Sequence, residues 1–259
     1  MNVLSIARLL ALALALLLPP AAAAPDVPAL AAASDLKFAL DEAASHFREQ
    51  TGMTVRPVYG SSGNFMQQIR QGAPFELFMS ADEGLVFELA RSGLTVDDGM
   101  LYAIGRIVLF VPSTSPLQAA EGLEGVRLAQ ADGRLRKFAI ANPGHAPYGR
   151  AARAALRRAG IWEALQPHLV LGENVSQAAQ FTASGSVQAG IFALSLALAP
   201  AIARTGHYVI LPEDSAEPLR QRMVLTRRAG KTARAFYAWL AGVEGRAVLK
   251  RYGFGLPPG

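Results

Sequence analysis

Cysteine is absent from the 259-residue chain. Its absence excludes disulfide bonds, thiolate nucleophiles and metal sites built on cysteine. Histidine is scarce too: the four histidines lie far apart in sequence, and no two have the spacing of metal ligands. We interpret them as ordinary surface or loop residues, so the sequence predicts no metal ion held directly by side chains.

Charged residues are also few. They make up 17% of the chain, with a formal net charge of +5 and no long run of lysine or arginine. The scattered basic residues argue against a nucleic-acid partner. They would help to attract an anion without selecting one. With 51% hydrophobic residues, the chain is globular and long enough for one large domain or two modest ones.

The features of a hydrolytic active site are missing as well. No Gly-x-Ser-x-Gly nucleophile elbow occurs, and the serine pair at positions 61 and 62 has no histidine or aspartate at a spacing that suggests a catalytic base. We therefore expect a binding protein and not an enzyme. The rival classes are an exported hydrolase or sulfurtransferase-like enzyme, and a structural or adaptor protein that uses the surface of one lobe.

The first 24 residues have the pattern of a secretory signal. One positive charge, Arg8, precedes an unbroken apolar run over residues 9–18, which is shorter than the ~20 residues of a membrane span. Two prolines follow, and then small residues suited to cleavage. We predict removal near Ala24 and an exported protein. An uncleaved membrane anchor is the alternative.

Short β-rich runs alternate with helical patterns along the rest of the chain. The first predicted strands are Val27–Ala33, Met53–Val58 and Phe75–Met79. A second series comprises Ile104–Val111, Phe138–Ala141, Leu169–Leu171 and Val187–Ala193, followed by Val209–Leu211 and Met223–Leu225. This alternation predicts an α/β architecture with helices on both faces of a parallel sheet. Two such series predict two lobes, with a ligand cleft beyond the carboxyl ends of the strands.

Four predicted strand-to-helix turns point to this cleft, at Ser34, Ser62, Tyr148 and Val175. The first N–H groups of a helix have no partner inside it, and the helix dipole makes that end attractive to anions. Donors without formal charge would select a small oxyanion by its shape and by the number of hydrogen bonds. The alternatives are that the serines are N-caps only, and that Tyr148 simply packs at a helix start.

We expect three charged side chains near these turns to have structural roles and not to bind a ligand. We expect Arg106 and Arg150 to form solvated surface pairs or inter-lobe pairs rather than to meet an anion. Asp82 follows a predicted strand, and we expect it to cap the next helix.

Eight segments spread along the chain resemble one known family. They are residues 31–34, 59–63, 72–82, 102–106, 142–149, 173–175, 211–215 and 250–254. Taken together and in this order, they are similar to the periplasmic molybdate-binding proteins of bacterial ABC importers, which have the type II periplasmic binding fold. The resemblance covers essentially the whole chain after the predicted signal.

The resemblance implies an α/β fold of two lobes, with central mixed sheets, flanking helices and a ligand cleft between the lobes. It implies a signal peptide at 1–24, a first lobe made of 25–103 and 212–259, and a second lobe at 104–211. The hinge would be two crossovers, near 101–106 and 210–220. It also implies a periplasmic monomer without a cofactor, which captures molybdate and tungstate for the permease and ATPase subunits of an ABC importer.

The ligand positions of the family fall on four residues of this chain. Ser34 matches a serine that offers its hydroxyl and its backbone N–H, and Ser62 matches a second one. Ser61 is the fallback, because a Ser-Ser register can slip by one residue. Tyr148 and Val175 match backbone N–H donors at helix starts. The anion would be bound through its oxygens, with no direct ligand to the metal.

Two positions depart from the family pattern. Some relatives have a ligand-binding tyrosine where this chain has Ala193, and the hydroxyl of Tyr148 would compensate from across the cleft. Asp35 would place a carboxylate beside a dianion, so we expect it to turn outward or to accept backbone N–H bonds. The rival ligands are sulfate, thiosulfate and phosphate. Phosphate is the least favoured of them, because its protonated form usually needs an acceptor, which Asp35 would supply only if it faced inward.

Overall fold

The computed structural model describes residues 27–257. The predicted signal peptide at 1–24 lies outside the described residues. Within them, no helix combines the length and the apolar character that crossing a membrane requires.

The first sheet has five strands in the order β2-β1-β3-β10-β4. Its strands are β1 (Ala29–Ala33), β2 (Arg56–Gly60), β3 (Phe75–Ser80), β4 (Met100–Gly105) and β10 (Leu219–Leu225). β1 pairs in parallel with β2 and β3, whereas β10 runs antiparallel to β3 and β4. All five residues of β1 are buried, as expected for a central strand covered on both faces.

The second sheet also has five strands, in the order β7-β6-β8-β5-β9. They are β5 (Ile107–Pro112), β6 (Phe138–Ala141), β7 (Leu169–Gly172), β8 (Ala189–Ala193) and β9 (Gly206–Ile210). β6 pairs in parallel with β7 and β8, and β5 runs antiparallel to β8 and β9. Both sheets are therefore mixed, which confirms the two-lobed α/β fold with central mixed sheets that the resemblance implies. The parallel sheet predicted from the alternation holds only among β1, β2 and β3 and among β6, β7 and β8.

Helices flank both sheets. The α-helices are α1 (Lys37–Thr51), α2 (Ser62–Arg70), α3 (Glu83–Arg91), α4 (Gly122–Ala131), α5 (Pro147–Arg158), α6 (Trp162–Leu165), α7 (Val175–Ala183), α8 (Leu194–Ala197), α9 (Pro200–Ala203), α10 (Lys231–Ala241) and α11 (Val243–Arg251). Short 3-10 helices lie at Ser34–Leu36, Ala119–Glu121, Gln166–His168 and Glu213–Ser215. The first of them leads directly into α1, which ends at Gly52 in the left-handed conformation (φ 70°).

The prediction of one long strand over Ile104–Val111 is wrong. β4 ends at Gly105, which pairs with Leu219 in the first sheet, and β5 begins at Ile107, which pairs with Ala193 in the second sheet. Apolar residues lie on both sides of Gly105 and Arg106 because both strands are largely buried. Their hydrogen bonds, however, belong to different sheets, so the chain changes lobes at Arg106.

A second predicted strand lies a few residues later in the sequence than expected. The strand expected at Met53–Val58 begins at Arg56 and continues to Gly60. β2 is an edge strand, which tolerates Pro57 because a proline there removes no ladder bond from the sheet interior. β2 therefore ends next to Ser61 and Ser62, and α2 begins at Ser62.

Within residues 27–257 the chain passes between the two sheets twice. The first sheet takes its strands from residues 29–105 and 219–225, and the second from residues 107–210. The crossing points are Arg106 and the segment 211–218. We call these two units lobe 1 and lobe 2. Helices begin after β1 and β2 in lobe 1 and after β6 and β7 in lobe 2, and these strand ends face one another across the boundary.

Candidate functional site

A small cavity lies where the two lobes meet. Its cavity volume is about 10 Å³, far below the ~300 Å³ of the smallest pockets that hold drug-sized ligands. All six residues singled out from the sequence line it, together with five small or imino-acid neighbours. The complete lining is Ala33, Ser34, Asp35, Gly60, Ser61, Ser62, Ala81, Ala146, Pro147, Tyr148 and Val175.

Lobe 1 contributes two helix starts to the cavity. Ser34 is the first residue of the 3-10 helix that leads into α1, and Ser62 is the first residue of α2. The Oγ of Ser62 accepts a hydrogen bond from the backbone N–H of Ala81 at 3.0 Å. The hydroxyl proton of Ser62 is therefore available to donate to a ligand.

Lobe 2 contributes two more helix starts. Tyr148 is the second residue of α5, after Pro147, whose fixed φ suits the first helical position. In α7 the Asn174 side chain accepts from the N–H of Gln177 at 3.1 Å, and Ser34 accepts from the N–H of Ser176 at 3.2 Å. The N–H of Val175, the first of α7, is thereby left for a ligand.

The cavity lining contains no lysine, arginine or histidine. Its donors are serine hydroxyls and backbone N–H groups at the positive ends of helix dipoles. Such an arrangement is suited to a small anion that several hydrogen bonds surround. Among residues 27–257 there is no group of three or more histidine, cysteine, aspartate or glutamate side chains that could hold a metal ion.

The lobes are in contact around the cavity. The Ser34 hydroxyl donates to Asn174 Oδ1 at 3.0 Å, and the Ser176 hydroxyl donates to the Ser34 carbonyl at 2.7 Å. On the other side, the Ser61 hydroxyl donates to the carbonyl of His145 at 2.6 Å, and the same carbonyl accepts from the N–H of Gly63 at 3.1 Å. These contacts define a closed arrangement of the two lobes.

The charged side chains near the cleft form pairs, as the sequence predicted. Arg150 in lobe 2 pairs with Asp82 in lobe 1, and Arg106 lies 3.3 Å from Glu213. Asp82 also caps α3 by accepting from the N–H of Gly84 at 2.8 Å, which confirms its predicted role. These groups lie outside the cavity and help to join the lobes instead of contacting a ligand.

Asp35 was predicted either to turn outward or to accept backbone N–H bonds, and the first of these alternatives is wrong. Its side chain is buried, with 1% of the residue exposed, and its Oδ2 accepts from the Tyr148 hydroxyl at 2.9 Å and from Gln221 Nε2 at 2.6 Å. Its Oδ1 is buried without a hydrogen-bond partner. The inward orientation follows from donors that the sequence did not connect with it, one in each lobe.

The idea that the Tyr148 hydroxyl replaces a missing ligand at position 193 is also not supported. That hydroxyl donates to Asp35 and accepts from Gln221 Nε2 at 3.0 Å, so both of its roles are filled within the protein. Ala193 is buried at the end of β8, and the nearby Ser195 hydroxyl donates to the Asp35 carbonyl at 2.8 Å. What Tyr148 can offer a ligand is its backbone N–H.

Burial changes the acid–base behaviour of a cluster formed by Asp35, Tyr148, Tyr102 and Gln221. Burial raises the pKa of Asp35 from 3.8 to about 6, although hydrogen bonds from Gln221, Tyr148 and nearby backbone N–H groups act in the opposite direction. Burial and then the Asp35 charge raise the pKa of Tyr148 and of Tyr102 well above 10. Both tyrosines remain neutral, and Asp35 is the member of the cluster that titrates.

The raised pKa of Asp35 predicts that the difference in stability between the wild type and Asp35→Asn changes with pH. Between pH 4 and pH 6 the folded protein holds a proton that the unfolded chain releases, so the contribution of Asp35 to the free energy of unfolding falls as pH rises. Asp35→Asn removes this loss. We expect the variant to match the wild type near pH 4 and to exceed it by about 3 kcal/mol at pH 7, from ~1.4 kcal/mol per pKa unit.

Urea unfolding at several pH values measures this difference. Asp98→Asn, which changes an exposed aspartate of lobe 1, is the control and should show no such trend. A difference between Asp35→Asn and the wild type that stays constant from pH 4 to pH 7 would contradict the assignment.

Several residues of the site were not identified from the sequence. Asn174, a standard N-cap residue before α7, carried a recognisable signal. Ser176, His145 and Gly63 make their contacts only when the lobes meet, and Gln221 reaches Asp35 from a strand 186 positions away. No local pattern indicates such partners.

A larger open cleft lies beside the two crossing points. Its lining includes Gly105, Arg106, Leu211, Glu213 and Phe254. Among its lining residues one helix begins, the short 3-10 helix Glu213–Ser215, whose acidic first residue does not suit an anion, and the walls are mostly apolar. We therefore place the candidate site in the small cavity.

Comparisons with known proteins agree on one family. Residues 29–255 match the family model described as bacterial extracellular solute-binding protein. The molybdate-binding protein ModA of Rhodobacter capsulatus is 36% identical over 251 residues, which cover 96% of this chain and 94% of the relative. ModA of Azotobacter vinelandii is 35% identical over 255 residues, covering 97% and 98%. The solved structure of the Azotobacter vinelandii periplasmic molybdate-binding protein superposes with a TM-score of 0.81 at 31% identity, covering 90% of this chain and all of that one.

Proposed function

This chain belongs to the family of bacterial extracellular solute-binding proteins, and on that premise we propose that it captures molybdate between its lobes and delivers it to an ABC importer. Tungstate, an oxyanion of the same shape and charge, is the second expected ligand. Two relatives that are 35% and 36% identical over nearly their whole length carry the name of molybdate-binding protein. The role is capture and delivery, with no chemistry performed on the anion.

The observation that carries this proposal is the small cavity with its uncharged donors. We propose that Ser34 and Ser62 bind the anion through their hydroxyls and backbone N–H groups, and that Tyr148 and Val175 bind it through backbone N–H groups. The bond from Ala81 to Ser62, together with the use of the Ser61 hydroxyl by His145, favours Ser62 over Ser61 as the second serine ligand. Oxygen atoms of the anion, and not the metal, would make every contact.

Binding and closure are coupled in this mechanism. The proposed ligand groups come from both lobes, so the anion makes its full set of hydrogen bonds only when the lobes are together. A ligand that binds the closed state better than the open state shifts the population toward closure. The closed form would then present surfaces of both lobes to the permease.

The remaining assignments extend the same proposal. We propose that residues 1–24 direct export to the periplasm and that the mature protein is a monomer without a cofactor or a nucleic-acid partner. Because Ile104 and Gly105 belong to β4 of the first sheet, lobe 1 would comprise 25–105 and 212–259 and lobe 2 would comprise 106–211, two residues later than the predicted boundary at 103/104. The membrane permease and the ATPase of an importer would be its partners.

Thermal unfolding in the presence of anions tests the proposed ligand. We expect molybdate and tungstate at about 100 times Kd to add roughly 2.7 kcal/mol to the stability of the protein. For a chain of this size the unfolding midpoint should rise by about 5–10 °C. Sulfate at the same concentration should leave the midpoint nearly unchanged.

The other outcomes identify the alternatives. A shift with sulfate, thiosulfate or phosphate alone would keep the cleft and replace the ligand. No shift with any of these anions would overturn the proposed function and favour an adaptor role for the lobe surfaces. Turnover of a sulfate or phosphate ester would revive the enzyme alternative.

A further inference from the structure

We propose that Asp35 takes up one proton when the anion binds, so that the site captures an oxyanion and a proton together. This inference rests on the proposed function and concerns a group that the capture of an anion does not by itself require. It makes Asp35 a determinant of affinity whose effect depends on pH.

The first support is the geometry of the carboxylate. Asp35 lines the cavity, and its two oxygens have different surroundings. Oδ2 accepts hydrogen bonds from Tyr148 in lobe 2 and from Gln221 in lobe 1. Oδ1 is buried and has no partner among the described residues. A buried oxygen without a donor is costly, so an unpartnered Oδ1 on a residue that lines the cavity requires an explanation.

The second support is the chemistry of the two groups that would meet. An ionised Oδ1 and an oxygen of a dianion are both acceptors, and their charges repel. One proton on Oδ1 removes the repulsion and provides a donor to the anion. The balanced step is that a carboxylate, a proton from solvent and the dianion become a neutral carboxylic acid whose O–H donates to the bound dianion. No bond of the anion is broken.

No side chain in direct contact with the Asp35 carboxylate could take the proton in its place. Tyr148 on α5 and Tyr102 on β4 face it and stay neutral, and Gln221 on β10 does not titrate. Because burial already raises the pKa of Asp35 to about 6, the charge of a nearby dianion needs only to raise it further for the acid to be protonated at neutral pH.

The other elements packed around this segment bring no free charge toward it. α7 and α8 carry no charged residue. On α1, Lys37 and Asp41 pair with each other at 2.9 Å on the surface, and the Tyr59 hydroxyl of β2 donates to Asp41. No lysine or arginine therefore holds Asp35 in its ionised form.

His145 is the group that the experiment must separate from Asp35. Its Nδ1 lies 2.9 Å from Ser61 Oγ, and its Nε2 lies 3.6 Å from Glu173. Histidine is the side chain that commonly changes charge near neutral pH, and a protonated imidazole beside the cavity would also favour an anion. His145→Gln keeps a hydrogen-bonding side chain and removes that charge.

Isothermal titration calorimetry of the whole protein with sodium molybdate tests the inference. Titrations at pH 7.5 in two buffers with different ionisation enthalpies give the number of protons taken up, and we expect close to one per anion. Between pH 7 and pH 8.5 the affinity should fall by about tenfold per pH unit. His145→Gln should keep both properties.

Asp35→Asn supplies the decisive comparison. The amide oxygen can accept the bonds from Tyr148 and Gln221, and the amide nitrogen then occupies the place of Oδ1 as a permanent donor. We expect proton uptake to disappear, the affinity to become nearly independent of pH, and binding at pH 8.5 to be at least about tenfold tighter than that of the wild type.

The possible failures can be told apart. If the wild type binds no molybdate at any pH, the proposed function fails. If it binds molybdate without proton uptake, or if Asp35→Asn retains the wild-type pH profile, the function stands and this inference is wrong. Loss of the pH dependence in His145→Gln alone would assign the proton to the imidazole.

Discussion

The double variant Ser34→Ala, Ser62→Ala should bind molybdate between about a hundredfold and ten-thousandfold more weakly than the wild type. Each substitution removes a hydroxyl that would donate to the bound anion. A hydrogen bond to a charged group contributes about 1.5–3 kcal/mol, so the pair should cost about 3–6 kcal/mol of binding free energy. Titration calorimetry, or competition with a weaker anion where binding is very tight, measures the loss.

Two side effects of these substitutions have to be separated from binding. Ser34 has one hydroxyl proton, which donates to Asn174 Oδ1 without a ligand and would turn to the anion on binding, so Ser34→Ala also removes a lobe contact of the ligand-free protein. Ser62→Ala leaves the buried N–H of Ala81 without its acceptor, which should lower the stability of the ligand-free protein by about 1–3 kcal/mol. Circular dichroism at the temperature of the titration shows whether the variant is folded.

The matched control removes two serine hydroxyls of lobe 1 that are far from the cleft. In Ser45→Ala, Ser92→Ala the lost bonds go to Glu49 and to the carbonyl of Glu88, both on the surface. This control should bind molybdate as the wild type does. Wild-type affinity in the Ser34, Ser62 variant itself would overturn the assignment of both serines.

Gly63→Ala should weaken molybdate binding by about 5- to 150-fold without destabilising the free protein. A Cβ at this position would lie 2.5 Å from the carbonyl oxygen of His145 in the other lobe. Because that oxygen belongs to the backbone, the lobes must shift apart, at a cost of about 1–3 kcal/mol typical of an overpacked contact. The cost applies to the closed state alone, since the clash needs both lobes in contact.

Gly84→Ala is the control for Gly63→Ala. Gly84 is the second residue of α3, as Gly63 is the second residue of α2, and its added methyl group would meet only the Asp82 carboxylate at 3.1 Å. Both variants replace glycine by a better helix former, so neither should lower the unfolding midpoint. Small-angle X-ray scattering with saturating molybdate should show incomplete compaction for Gly63→Ala. Unchanged affinity and full compaction would show that this contact does not limit closure.

The local part of the site was accessible from the sequence. Ser34, Ser62 and Val175 could be placed at helix starts because strand patterns end just before them, and helix starts carry free donors whatever the rest of the fold does. The rule that ligands bind beyond the carboxyl ends of strands was enough to predict that these helix starts share one cavity. Whether they bind the anion awaits the experiments above.

The failures share a cause. Asp35 was expected to turn outward or to accept backbone N–H bonds, because a carboxylate beside an anion is unfavourable, yet its side-chain donors are 113 and 186 positions away in the chain. Ile104–Val111 was read as one strand because hydrophobicity reports burial and not the sheet in which a residue is buried. In both cases the deciding contact joins segments that are distant in sequence, and no periodicity within one segment reveals it.

The order of strands in the first sheet has a consequence for how the chain folds as it emerges from synthesis or export. β10 lies between β3 and β4, although almost the whole of lobe 2 separates it from them in sequence. All strands of the second sheet lie before residue 211, whereas the first sheet lacks the strand between β3 and β4 until residues 219–225 have been made. Loops of this length make such pairing slow. The lobe that begins the chain is thus the last to be completed, and until then the edges of β3 and β4 are open to misplaced pairing and to chaperones.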